Sequence, residues 1–239
     1  MWPTCTCVNM SGADDCSGRN CVRMYHVDQQ TGLLEFISKN IAKRSHDGPR
    51  HTWPHPNGRF VYSLQEHSSV SNDIHGVVLT SQYIDVLQLS ANGNALEWIE
   101  GVSILPDGGD CSQYWADEVR LSPTAEFLFG STRGLDPCTK GYVTAWGLGP
   151  DGQLSEKQVT GRDTSLHRLE TRTSGGWANA IAVCPHLGPS GEVYLTLTDS
   201  EVGFVQVLAY GRDTGFVVLD EIGLGTDSKH IGASVTIWL

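Results

Sequence analysis

The sequence predicts an all-β fold built from repeated units of four strands each. Short alternating or wholly apolar runs recur along the 239 residues, and helical periodicity is weak throughout. Turn-forming residues separate these runs, since the chain contains 27 Gly and 10 Pro. The same succession of strands and turns returns at intervals of about 60 residues, which is a spacing typical of a four-stranded repeat.

Each unit opens with two strands on either side of a turn that contains proline. The first strands are predicted at His51–Pro54, Glu118–Leu121 and Ala180–Val183, and the second strands at Phe60–Leu64, Phe127–Gly130 and Val193–Leu197. The third strands are predicted at Val22–Val27, Tyr83–Leu89, Tyr142–Leu148 and Phe204–Tyr210, and the fourth strands begin at Gly32–Leu34, Gly93–Leu96, Gly152–Leu154 and Gly215–Val218. This order favours a β-propeller, with one blade per repeat, over the alternative of a β-sandwich.

Two segments do not follow the repeat. Residues 1–20 form an atypical leader, expected to be disordered, whose cysteine spacing does not match a zinc site. Residues 70–82 interrupt a unit and are predicted to be an inserted loop; a genuine surface insertion and an unspliced in-frame intron both explain them. The predicted domain is therefore a partial propeller over residues 21–239.

Composition excludes several functions. The formal net charge of −11 argues against a nucleic-acid partner, because phosphate binding needs a basic face. The chain has no apolar run of about 18 residues and no basic, then apolar, leader of the kind that signals secretion. We therefore expect a cytoplasmic protein with reduced cysteines and no membrane partner.

Four phrases carry a resemblance to a known family. They are Gly48–Tyr62, Glu118–Gly134, Thr173–Ala180 followed by Cys184-Pro185, and Gly232–Trp238. They resemble the seven-bladed β-propeller lactonases, and the last two are similar to the fungal carboxy-cis,cis-muconate cyclases of that family. The resemblance implies a propeller of the seven-bladed type of which about four to five blades are present. We therefore expect an N-terminally truncated ring with open sheet edges, through which chains self-associate.

The resemblance implies a cofactor-independent cycloisomerase that converts 3-carboxy-cis,cis-muconate to 3-carboxymuconolactone, with a small anionic carboxylate as substrate. The alternatives are a sugar lactone hydrolase like the 6-phosphogluconolactonases and an inactive propeller scaffold. The reaction needs cations for the carboxylates and a proton donor. Arginine meets the first need and histidine the second. We expect neither a metal nor an organic cofactor.

The candidate residues lie in the same phrases. The expected catalytic residues are His51, Glu118, Arg120 and Arg133, and the expected substrate-binding residues are Arg50, Glu66, His67, Ser174, Gly175 and Asn179. The resemblance suggests His51 as proton donor or anion ligand. Glu118 and Arg120 alternate along one strand and share a face, either as an acid/base pair or as a structural ion pair. The Ser174–Gly176 turn either offers backbone N–H groups to an anion or is only a tight turn, and His55 is expected at the surface.

Overall fold

The computed structural model describes residues 20–45, 47–66, 82–155, 163–176, 180–225 and 232–239. The first strands, β1 (Cys21–Val27) and β2 (Leu34–Ile41), form a two-stranded sheet. Three four-stranded sheets follow. Blade A consists of β3 (Pro49–Pro54), β4 (Phe60–Gln65), β5 (Tyr83–Leu89) and β6 (Leu96–Ser103). Blade B consists of β7 (Tyr114–Leu121), β8 (Phe127–Gly134), β9 (Tyr142–Gly147) and β10 (His167–Glu170), and blade C of β11 (Ile181–Leu187), β12 (Val193–Asp199), β13 (Phe204–Gly211) and β14 (Gly215–Gly223).

Each blade is an antiparallel meander in which strands pair in chain order. The all-β architecture of repeated four-stranded units is therefore confirmed. One predicted strand is displaced: Leu154 makes a single bridge with Leu148, and the fourth strand of blade B begins only at His167. The turn before Leu154 also contacts blade A, because the Tyr62 hydroxyl donates to the Gly152 carbonyl at 2.6 Å.

The C-terminal segment, residues 232–239, lies against the first two strands of blade C. The N–H of Ala233 donates to the Asp199 carbonyl at 3.1 Å, and the Trp238 indole donates to the Ala182 carbonyl at 3.1 Å. The described chain thus contains three complete blades, a two-stranded part of another, and a segment seated beside blade C. This arrangement is a partial propeller, as the repeats predict.

The hydrophobic core is made where neighbouring blades meet. Tyr62, Ile84 and Trp146 are fully buried in the cluster shared by blades A and B. Phe129 and Tyr210 meet edge-on between blades B and C, with ring centroids 5.1 Å apart. Because each blade covers the face of the next, this packing brings β7 into contact with β3 and β4 on one side and β11 on the other.

His55 is buried rather than exposed, so the expectation of a surface histidine was wrong. Its Nδ1 accepts the N–H of Asn57 at 3.1 Å, and the Asn57 amide donates to the Asp151 carbonyl at 2.6 Å. The turn that carries His55 therefore packs against blade B, and contact between blades overrides the usual exposure of a turn.

Candidate active site

The candidate site lies at the start of β3 and the middle of β7, and both strands carry a bulge there. Between Pro49 and Thr52, three steps along β3 match two along β4. In β7, two steps from Ala116 to Glu118 match one step along β8. A bulge inserts a residue and re-aims the side chains around it. Neighbouring residues of one strand can therefore both meet the adjacent blade.

Four charged side chains from blades A and B form one cluster. Arg50 of β3 contacts Glu66 through Nη1 at 2.5 Å and Asp117 of β7 through Nη2 at 3.0 Å. Arg133 of β8 reaches the same Glu66 oxygen at 3.6 Å, and its guanidinium stacks on the Trp115 ring at 4.9 Å. We call Arg50, Glu66, Asp117 and Arg133 the arginine–carboxylate cluster. Its two guanidinium groups have two carboxylates of the protein as counter-ions.

A second group of side chains adjoins this cluster. Arg120 contacts Glu118 at 2.5 Å, and the same Glu118 oxygen accepts the N–H of Val119 at 3.0 Å. The Nδ1 of His51 lies 3.8 Å from that oxygen, which is beyond hydrogen-bond distance. The Arg120 guanidinium stacks on the Trp53 ring at 4.6 Å. Glu118 and Arg120 thus meet on one face of β7, as their alternation predicts.

Burial changes the protonation of Glu118. Removal from water, reinforced by the neighbouring Asp117 carboxylate, raises its pKa to about 7, although Arg120 and the Val119 N–H oppose this rise. Its side chain is 7% exposed. Near neutral pH, a substantial fraction of Glu118 therefore carries a proton and is able to donate it.

His51 responds to the same surroundings in the opposite sense. Burial, together with the charges of Arg50 and Arg120, lowers its pKa to about 4. Its side chain nevertheless keeps 40% of its surface exposed, so a ligand could reach it. At neutral pH His51 is a neutral imidazole, which suits it to accept a proton or share a hydrogen bond rather than to hold an anion by charge.

The glycine-rich turn before β11 lies beside the arginine–carboxylate cluster. Gly134, the neighbour of Arg133, donates its N–H to the Ser174 carbonyl at 2.9 Å. The N–H groups of Gly175 and Gly176 donate to the Thr173 and Ser174 hydroxyls at 3.3 and 3.4 Å. Because the Thr173 and Ser174 hydroxyls accept these two N–H groups, the Gly175 N–H and the Ser174 hydroxyl would have to exchange partners to bind an anion.

The structure brings most of the expected residues together and adds others. His51, Glu118, Arg120, Arg133, Arg50 and Glu66 share contacts across blades A and B. His67 and Asn179 lie outside the described residues, as do residues 1–19 of the leader and 70–81 of the predicted loop. Asp117, which is not among the expected catalytic or substrate-binding residues, is central to the arginine–carboxylate cluster. Its signal in the sequence is the adjacent acidic pair Asp117-Glu118, since a bulge at this point of β7 lets both side chains face blade A.

The family is decided by comparison with known proteins. The family described as "Lactonase, 7-bladed beta-propeller" matches residues 13–166. The chain belongs to this family. Muconate cycloisomerase 1 of Cutaneotrichosporon cutaneum is 59% identical over 222 residues, which are 93% of this chain and 54% of that protein. Carboxy-cis,cis-muconate cyclase of Neurospora crassa is 24% identical over 188 residues, 76% of this chain and 45% of that protein.

A solved structure supports the same fold. The Pseudomonas aeruginosa periplasmic gluconolactonase PpgL matches with a TM-score of 0.61 at 19% identity, over 87% of this chain and 49% of that one. The lactonase-family chain thus spans about half the length of the curated relatives it matches. Among the described residues, no helix is long and apolar enough to cross a membrane.

Proposed function

We propose that this lactonase-family chain acts as a cofactor-independent cycloisomerase that converts 3-carboxy-cis,cis-muconate to 3-carboxymuconolactone. The observation that carries the proposal is Glu118, a buried carboxyl with a pKa of about 7 in contact with Arg120. The 59% identity to a protein named muconate cycloisomerase supports the same reaction. The carboxylated substrate takes its support from the name of the Neurospora relative.

In the proposed reaction, a carboxylate oxygen of the substrate adds to the conjugated diene and closes the lactone ring. The displaced electron pair moves toward a carbon next to another carboxylate, and that carbon takes a proton. No atom is lost, so the protein needs only to hold charge and supply the proton. Arg120, Arg50 and Arg133 would hold the carboxylates, because guanidinium groups bind them in a planar, bidentate manner.

Glu118 is the proposed proton donor, with His51 as its partner. A general acid works best when its pKa lies near the working pH, and Glu118 meets that condition. After donation, the Glu118 carboxylate would pair with Arg120 until solvent returns the proton. The neutral His51 imidazole, 3.8 Å away, could donate a hydrogen bond to a substrate carboxylate or relay that proton.

The test is a direct assay of the purified 239-residue chain. We expect the ultraviolet absorbance of 3-carboxy-cis,cis-muconate to fall on adding protein, faster than that of cis,cis-muconate. A parallel reaction with Glu118→Gln should leave the absorbance nearly constant. Stable absorbance with both muconates in the presence of the wild-type chain would contradict the proposal.

Sugar lactone hydrolysis is the second candidate, and one specific observation favours it. His51 is unprotonated at ordinary pH and partly exposed, so its imidazole is available to accept a proton from an attacking water. Acid release from 6-phosphogluconolactone, with no change in muconate absorbance, would favour this reaction over cyclisation.

The remaining expectations are also proposals. We propose a small anionic carboxylate as the ligand and a cytoplasmic location, the latter resting on the cysteine usage of the sequence. Self-association through open sheet edges is the proposed interaction between chains.

A further inference from the structure

The arginine–carboxylate cluster places two acidic side chains where an anionic ligand has to bind. Arg50 and Arg133 would attract a carboxylate, yet Glu66 contacts Arg50 at 2.5 Å and Arg133 at 3.6 Å. A carboxylate repels another carboxylate, so Glu66 is poorly suited to bind such a ligand directly. Its contacts resemble those that the ligand itself would make.

The two carboxylates of the cluster differ in how firmly they are held. Asp117 sits at the bulge of β7, and its side chain is 1% exposed. Glu66 follows the last residue of β4, has a longer side chain, and is 12% exposed. Asp117 therefore serves as the fixed counter-ion, whereas Glu66 is able to swing toward solvent by rotating its side chain.

We propose that Glu66 is a displaceable internal counter-ion that occupies the Arg50–Arg133 pair until a ligand carboxylate replaces it. This inference rests on the proposed function, because it takes a small polycarboxylate as the ligand. When Glu66 leaves, Asp117 is the remaining carboxylate of the arginine–carboxylate cluster, and one ligand carboxylate restores the negative charge that Glu66 had supplied. Glu66 thereby keeps the buried Arg133 and the partly buried Arg50 compensated in the empty site and sets how tightly the ligand binds.

This role predicts that a conservative substitution of Glu66 lowers the Kd for the ligand, whereas most substitutions in a binding site raise it. Glu66→Gln keeps the shape of the side chain but removes the competing charge, so ligand binding should become tighter. A purely structural role predicts the opposite, because loss of the ion pairs would disorder Arg50 and Arg133. The sign of the change in Kd thus separates displacement from support.

The experiment is calorimetric titration of the full chain with tricarballylate, a saturated tricarboxylate that cannot cyclise. We expect the Kd of Glu66→Gln to be about tenfold lower than that of the wild type. Glu170→Gln is the matched control, since it removes one charge from an exposed pair with Lys140 and should leave Kd unchanged. Glu66→Asp, which keeps the charge but shortens the reach, should give a smaller decrease and replaces Glu66→Gln if thermal melting shows that variant unfolded.

An unchanged or higher Kd in Glu66→Gln would overturn the inference, as would the absence of binding by every variant. Turnover of 3-carboxy-cis,cis-muconate is measured on the same samples. Tighter binding by Glu66→Gln without cyclisation by the wild type would retain the inference and reject the proposed reaction. Cyclisation by the wild type without tighter binding by the variant would support the proposed reaction and reject the inference.

Discussion

Glu118 and His51 show how burial moves two neighbouring pKa values in opposite directions. Removal from water disfavours the charged form of each, so the pKa of the acid rises to about 7 and that of the base falls to about 4. At neutral pH the available proton therefore resides on Glu118. The resemblance suggested His51 as proton donor, and the environment of the two groups favours the carboxyl instead.

Replacement of Glu118 by Gln should reduce kcat at least about 100-fold, because the amide has no acidic proton to give. In the wild type, kcat should fall as the pH rises through about 7, since Glu118 must be protonated to act. Stopped-flow absorbance over pH 5–9 measures both. Glu126→Gln, in an exposed turn, is the control and should retain the wild-type rate and profile.

The difference in stability between the wild type and Glu118→Gln should depend on pH in a defined direction. The folded-state pKa of Glu118 lies above its ordinary value of 4.5, so its contribution to stability is fully present below pH 4.5 and is lost as the pH rises through about 7. Gln does not titrate. Relative to the wild type, Glu118→Gln should therefore gain up to about 3 kcal/mol between pH 4.5 and 8.

Chemical denaturation at several pH values measures this gain. The difference in unfolding free energy between the two proteins should grow with pH and level off above pH 8. A difference that stays constant would mean that Glu118 titrates at its ordinary pKa, and the proton-donor assignment would lose its support.

The candidate residues were only partly predictable from the sequence. Alternation places Glu118 and Arg120 on one face of a strand, and the 2.5 Å contact agrees with that geometry. The position of Asp117 depends on the bulge, which exists only relative to the register of β8. The sequence of one strand does not determine its register with the neighbouring strand, so periodicity alone could not place Asp117 in the candidate site.

At the scale of elements, the strands were largely predictable because the inner ones are apolar and bounded by turns. The late start of β10 was not predictable, and the chain around Gly152 contacts both β9 and Tyr62 of blade A, which the strand pattern does not record. Contacts between blades also join the outer strands to the connecting segments. Arg44, before β3, binds both carboxylate oxygens of Asp85 at 2.8 and 2.9 Å, and the Trp98 indole donates to Asp85 at 3.1 Å.

This ion pair depends on a glycine in the neighbouring strand. A Cβ on Gly101, which pairs with Asp85 across β5 and β6, would lie 2.5 Å from the Asp85 Oδ1 atom. Gly101→Ala should therefore displace the carboxylate and destabilise the fold by about 1–3 kcal/mol. Thermal or urea unfolding measures the change. Gly223→Ala in β14 has open space at its Cβ and should stay within about 0.5 kcal/mol of the wild type.

At the scale of the whole molecule, apolar side chains remain exposed at both ends of the described arc. Leu34, Phe36 and Ile41 are exposed on β2, and Val235 and Ile237 are 74% and 82% exposed in the C-terminal segment. Such surfaces on extended segments favour pairing with another chain. The blade count of the sequence anticipated open edges, but which side chains line them became clear only from the packing.

We expect the chain to self-associate as its concentration rises, because association would cover these side chains. The double variant Val235→Lys/Ile237→Lys should shift the population toward monomer, measured by size-exclusion chromatography with light scattering. Val202→Lys, at an exposed turn between β12 and β13, makes a similar change elsewhere and should leave the distribution unchanged. Equal mass distributions for all three proteins would exclude the C-terminal segment as the contact.

The bulges in β3 and β7 have a consequence for how such a site could be gained or lost in evolution. Each bulge is one extra residue. A strand in which two adjacent charged side chains face the next blade therefore differs in length from a strand in which they do not. β11 pairs regularly from Ile181 to Val183, with Ala182 between them, and its register shift lies later, between Val183 and Leu187. Single-codon insertions and deletions in first strands, rather than point substitutions, would then be the changes that convert a supporting blade into a reactive one.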